Sequence, residues 1–279
     1  MKNLLLILIF ALLSCDFDVQ KQISITKQKI EIVQEKGLSI KTRFLTPKEF
    51  KRVDTKSNSF ENYLQNFKLK PNNAKVHLYN GELKNRQDVH AAILDITVGK
   101  RDLQQCADAT MRLRAEFLYQ QKRYNEIHFN FTNGFNVAYS KWRKGFRLNI
   151  NGNKVNWYKT NKESTSYKSF SKYMQYIFMY AGTLSLEKEL KNASINNMKI
   201  GDVFIQGGSP GHAIIVVDMA KNLKNETIFM LAQSYMPAQE IHILRNFNNT
   251  KISPWYKTEN LKDLKTPEWN FKIEDLKEF

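Results

Sequence analysis

Gly201-Asp202-Val203-Phe204-Ile205-Gln206-Gly207-Gly208-Ser209-Pro210-Gly211-His212-Ala213-Ile214-Ile215-Val216-Val217-Asp218-Met219 is the stretch that decides the fold. Two apolar runs of strand length are separated by a cluster of glycine, serine and proline, the punctuation of a loop between strands. The residues after His212 are wholly apolar, so this strand has no water-facing side and belongs in the interior of a sheet. Working outward, Thr227 to Ser234 and Glu240 to Leu244 repeat the pattern and make the last third strand-rich. Upstream, Phe170, Tyr173, Met174, Ile177, Phe178 and Ala181 recur at helical spacing, and Gly182 stands where a helix end accepts a left-handed residue. Two more helices are expected, around Ser59 to Asn66 and from Leu103 to Lys122. Lys75 to Leu83 reads as a hairpin about Asn80-Gly81, Val89 to Val98 as a strand, and residues 126–160 as short strands and loops. Helices followed by an antiparallel sheet give an α+β domain.

The chemistry-bearing residues lie at two of these boundaries. In Arg101-Asp102-Leu103-Gln104-Gln105-Cys106, Asp102 and Gln105 have the spacing of a capping box, which would make Asp102 the N-cap and put Cys106 in the first helical turn. There the free amides and the helix dipole favour a thiolate. The competing reading is structural, since Cys106, Ala109, Leu113 and Phe117 share one helical face. A nucleophilic thiol needs a base, and His212 is the candidate because a Gly/Pro loop delivers it to the mouth of a central strand. Its own rival reading is a core histidine. Gln233, a polar residue ending the next apolar run, is the expected orienter of the imidazole. Asp218 is excluded from that part: it lies roughly 20 Å along the same strand. If all three act together, the Cys106 sulfur is expected within about 4 Å of one imidazole nitrogen and the Gln233 amide near the other. His77, His90, His128 and His242 have no comparable setting, no pair has the spacing of a zinc motif, and no cofactor is expected.

The chain carries 43 Lys+Arg against 27 Asp+Glu, a formal charge of +16. This points to an anionic setting, with Arg112, Tyr139, Trp142 and Arg147 as candidate contacts to a glycan or peptide; a surface ion pair of Arg112 with Glu116 and ordinary core aromatics are the competing reading. No nucleic-acid recognition motif accompanies the charge. At the start, Lys2 precedes an apolar run from Leu4 to Leu13 that is too short to span a bilayer, followed by Ser14 and Cys15, the order of a secretory signal peptide. Two cysteines exist in all.

Leu12-Leu13-Ser14-Cys15 resembles a lipobox, which implies a signal peptide over 1–14 and a diacylglyceryl group on Cys15. Residues 15–40 are then a tether and 41–279 one domain, lipid-anchored in the cell envelope with Cys106 as its single thiol. The Cys106 helix, the Gly201-Asp202-Val203 strand, the Gly211-His212 strand and the polar residue on the following strand resemble the papain-like amidases of the NlpC/P60 and CHAP type. That resemblance implies a papain-like fold and cleavage of peptidoglycan peptide by Cys106, His212 and Gln233. The alternative is a non-catalytic envelope module binding an anionic glycan or peptide. The pattern departs from those amidases in the 106 residues between Cys106 and His212 and in Gln105, where an aspartate or asparagine often precedes the nucleophile. Across residues 45–279, segments including Val76 to Gly81, Ala181 to Glu187 and the Pro210-Gly211-His212 core also resemble a bacterial lipoprotein family known only as a domain of unknown function.

Overall fold

In a computed structural model, residues 32–259 and 261–279 are described. The expected signal peptide and Cys15, with most of the tether, lie outside them. The rest of the tether does not: residues 32–40 belong to the folded unit, which begins at Ile32. Val33 bridges Phe44 and Ile40 is fully buried. Ser39 caps the short helix α1 (Ile40–Arg43) by accepting from the Thr42 amide. Then come strand β1 (Phe50–Arg52) and helix α2 (Phe60–Gln65), with Ser59 as its N-cap. The Asn80-Gly81 turn forms as expected, with Gly81 at φ +90° and His77 bridging Leu83. Strand β2 (His90–Ile93) leads to helix α3 (Cys106–Gln120).

Residues 126–160 make two hairpins, β3 (His128–Asn130) with β4 (Asn136–Ala138), and β5 (Phe146–Asn151) with β6 (Lys154–Lys159), around helix α4 (Tyr139–Arg143). Helices α5 (Tyr167–Tyr180) and α6 (Thr183–Glu189) follow. Gly182 is not a left-handed cap: its φ of −175° is extended, and it is the N-cap of α6. The remaining strands are β7 (Lys191–Asn192), β8 (Val203–Gln206), β9 (His212–Asn222), β10 (Thr227–Gln233), β11 (His242–Leu244), β12 (Tyr256–Lys257), β13 (Asp263–Lys265), β14 (Asn270–Lys272) and β15 (Leu276–Glu278).

Nine strands form one sheet, ordered β2-β11-β10-β9-β8-β15-β7, with β1 on the distal part of β9 and β12 on β10. Its pairings are antiparallel, so the domain is mixed α+β. Helices do not simply precede sheet, because β1 and β2 come from the first third of the chain. Strand β9 explains why: β8 covers His212 to Ile215, and β1 is needed for Ala220 to Asn222. Residues His212 to Ala220 are all buried, as the apolar run required.

Helix α3 packs on β9. Its Ala107, Ala109 and Ala115 are buried. On its other side an aromatic layer joins α3 to α4 and α5, with Tyr119 stacked on Phe170 at 4.3 Å and Tyr139 beside Tyr173 at 5.1 Å. None of the helices among the described residues is long and apolar enough to cross a membrane.

Candidate active site

Cys106 is the first residue of α3, and Gln105, not Asp102, is the N-cap. Asp108 closes the capping box from the third helical position, its Oδ2 accepting from the Gln105 amide at 3.0 Å. Asp102 is used differently. Its Oδ1 accepts from the Ala238 amide at 2.7 Å and from Gln105 Nε2 at 3.1 Å, tying the approach to Cys106 to the loop beyond β10. Ser234 Oγ, 3.0 Å from Gln104 O, makes a second tie between the same two segments. These bonds start the helix three residues later than the sequence spacing suggests, and they place Cys106 at the outermost turn.

The neighbouring backbone N–H groups of Ala107, Ala213 and Cys106 itself each favour a thiolate. Burial outweighs them: the residue is only 7% exposed, and desolvation, with the nearby Asp108 charge, pushes the thiol up to about 11. Ala213 directly follows His212 on β9, the strand against which this helix packs. The expected direct bond does not form: the hydrogen bond of the His212 ring runs to Gln233.

His212 is delivered by the Gly207 to Gly211 loop, which is fastened to α6. Gly207 donates its amide to Glu187 Oε1 at 3.0 Å, and Gly208 donates to Thr183 Oγ1 at 3.3 Å. A Cβ on Gly211 would lie 2.5 Å from Thr183 Oγ1 and 2.6 Å from the Gly208 carbonyl oxygen, so no larger residue fits before the histidine. The ring is packed by Tyr235, Trp269 and Phe271 at centroid distances of 4.8, 5.3 and 5.9 Å. Burial lowers its pKa to about 4, the bond to Gln233 opposing and the Lys84 charge assisting the fall.

Gln233 Oε1 lies 2.9 Å from His212 Nε2. Which amide atom faces the ring is fixed from behind. Gln233 Nε2 donates to Glu268 Oε2 at 2.6 Å, and Glu268 Oε1 accepts from Lys84 Nζ at 2.6 Å. The second amide proton points to His242 Nε2 at 3.4 Å, whose Nδ1 donates to Glu240 O at 2.9 Å. With its oxygen toward His212, Gln233 can only accept, so Nε2 of His212 carries the proton and Nδ1 keeps the lone pair that a general base needs. Register builds this row: His242 is paired with Gln233 across β11 and β10, while β9 lies on the other side of β10.

Glu268, Lys84, His242 and Tyr235 were not legible as site residues. Glu268 lies in Thr266-Pro267-Glu268-Trp269, which has no local signal beyond its turn, and Lys84 is one of many lysines. Tyr235 alone had a cue, as the aromatic residue just past Gln233. Asp218 is excluded as an orienter by structure as well as distance, because it pairs with Arg52 at 2.8 Å and accepts from Gln65 Nε2 at 2.8 Å.

Of the proposed ligand contacts away from this centre, Arg112, Tyr139 and Trp142 are corrected, being buried, whereas Arg147 is partly exposed. Arg112, Tyr139 and Trp142 are 6%, 0% and 1% exposed. Arg112 donates to Glu116 at 2.6 Å, Gln104 at 3.2 Å and the Tyr167 hydroxyl at 2.9 Å, so the ion pair forms, but buried and not at the surface as expected. Trp142 Nε1 donates to Ser169 O at 3.0 Å. Arg147 lies 4.1 Å over the Trp142 ring and donates to the Trp142 and Phe146 carbonyls. Among the described residues no group of His, Cys, Asp and Glu is arranged to hold a metal ion.

This α+β domain, with its cysteine at a helix start beside a histidine and glutamine on adjacent strands, matches a known family over most of its length. The chain belongs to the family described as domain of unknown function 4846, whose model covers residues 40–278. No curated protein and no solved structure matches it.

Proposed function

We propose that this protein is a lipid-anchored cysteine amidase or peptidase of the cell envelope, acting on peptidoglycan peptide within a papain-like arrangement. The observation that carries the reading is that the helix beginning at Cys106 packs on β9, the strand that presents His212 bonded to Gln233. Cys106 is the nucleophile, and His212 takes the thiol proton as the sulfur attacks the amide carbon. Gln233 holds the imidazole tautomer. Because the thiol is pushed up to about 11 and the imidazole down to about 4, both are neutral between those values, and the proton moves during attack. Free amides at the start of α3 suit the oxyanion that forms. The charge of +16 suits an anionic polymer as substrate, and Leu12 to Cys15 supplies the expected anchor. The test is release of new amino groups from purified peptidoglycan. Cys106→Ala abolishes it on this reading, and unchanged release by that variant refutes catalysis.

A second reading is favoured by one observation, the near-complete burial of the thiol. On it, the same architecture serves an envelope module that binds an anionic glycan or peptide without cleaving it. Alkylation by iodoacetamide separates the two: in an enzyme, modification of Cys106 abolishes release of amino groups from peptidoglycan, whereas a binder shows no such release before or after modification.

A further inference from the structure

At the β2 edge of the sheet lies a cavity of about 310 Å³, near the small end of the roughly 300–1,000 Å³ typical of ligand sites. Its lining is charged with one sign only. Lys75 and Arg245 face it, while neither aspartate nor glutamate does. Neither cation forms an ion pair with a carboxylate among the described residues. Arg245 is held in place by donating Nε to His90 O at 2.8 Å. Its guanidinium is thereby anchored at one edge with the fork left for a planar anion.

His90 supplies the second feature. It lines the cavity and is 8% exposed. Its Nε2 donates to Ala74 O at 3.1 Å. The other nitrogen, Nδ1, is buried with no partner. With Nε2 donating to Ala74 O, Nδ1 of the neutral ring is an acceptor; burial, with the charges of Arg245, Lys75 and Lys84, lowers the ring's pKa against the Ala74 bond. His242, the other titratable ring packed against it at 6.2 Å, is neutral as well. Asn72 and Ser253 complete the polar wall.

We propose that this cavity binds a small carboxylate ligand carrying its own N–H or O–H beside the carboxylate, as the C-terminal residue of a short peptide does. The carboxylate meets Arg245 and Lys75, and the neighbouring N–H donates to His90 Nδ1. The proposal stands on the cavity alone and does not depend on Cys106 being catalytic.

The experiment titrates the full folded domain with N-acetyl-alanyl-alanine and follows the His90 ring nitrogens by NMR. Saturable movement of Nδ1 is expected, with binding about tenfold weaker, or about 1.4 kcal/mol, when the peptide ends in a carboxamide. Arg245→Gln and Lys75→Gln, both at exposed positions, weaken binding similarly and leave the fold intact. Acetate, which has no donor, does not move Nδ1, and inorganic phosphate competes poorly. Absence of a saturable shift overturns the proposal. Equal binding of the carboxamide removes the anion argument, and equal binding of acetate or phosphate removes the role given to His90; either result also overturns it.

Discussion

Replacing Glu268 by alanine tests whether Gln233 is held from behind. The carboxylate joins Gln233 Nε2 and Lys84 Nζ, each at 2.6 Å, and the Lys84 and Glu268 side chains are 7% and 10% exposed. Removing one partner of a buried pair strands the other charge, a loss of about 3–5 kcal/mol. The orphaned amide proton would cost about 1–3 kcal/mol alone, but the two effects share one residue and do not add. Glu268→Ala therefore destabilises by about 3–5 kcal/mol in urea unfolding, a large part of the usual 5–15 kcal/mol of a domain. Lys84→Met combined with Glu268→Gln removes both charges together and recovers most of that loss. The chemical readout is separate from stability. Once freed, the Gln233 amide can turn its NH₂ toward His212, and the imidazole proton shifts from Nε2 to Nδ1, visible as exchanged ring-nitrogen shifts in NMR. A destabilisation below about 1 kcal/mol, with the His212 tautomer unchanged, would refute the reasoning.

His212 should titrate near pH 4 in NMR, far below the ordinary 6.5. Because the folded-state pKa is depressed, the unfolded chain binds the proton more readily. Stability from this group is full above about pH 6.5 and falls toward pH 4 by roughly 3 kcal/mol; a midpoint near 6.5 contradicts the buried site. For Cys106, the iodoacetamide rate in the absence of ligand should climb toward pH 11, and a profile already flat at neutral pH is incompatible with this packing. Gly211→Ala forces a Cβ onto Thr183 and the Gly208 carbonyl oxygen, costing about 1–3 kcal/mol. Unaltered thermal unfolding of that variant would show that the loop before His212 yields freely.

The sheet interior was legible because periodicity reports burial on both faces, and the run after His212 allowed no other reading. The pairing of His212 with Gln233 was legible for a related reason: a polar side chain ending an apolar strand must find a partner in the sheet. What failed were features whose cause is non-local. Asp102 has the spacing of a cap, yet the Ala238 amide, 136 residues away, takes its carboxylate. Glu268 comes to Gln233 from the far side of the β13–β14 hairpin, and nothing near Glu268 in the chain signals that encounter. Arg112 and Glu116 misled in the opposite sense, since an exposed helical pair and a buried one have the same sequence spacing.

The C-terminal hairpin that brings Glu268, Trp269 and Phe271 to His212 also sets an order of assembly. During synthesis the Cys106 helix and the strand bearing His212 emerge well before it, and sheet contacts this distant in sequence form slowly. Until β13, β14 and β15 arrive, Lys84 has no counter-charge, Gln233 can turn either way, and β8 shows an open edge to other chains. The imidazole is set and shielded only when Glu268, Trp269 and Phe271 are in place, long after Cys106 has been made.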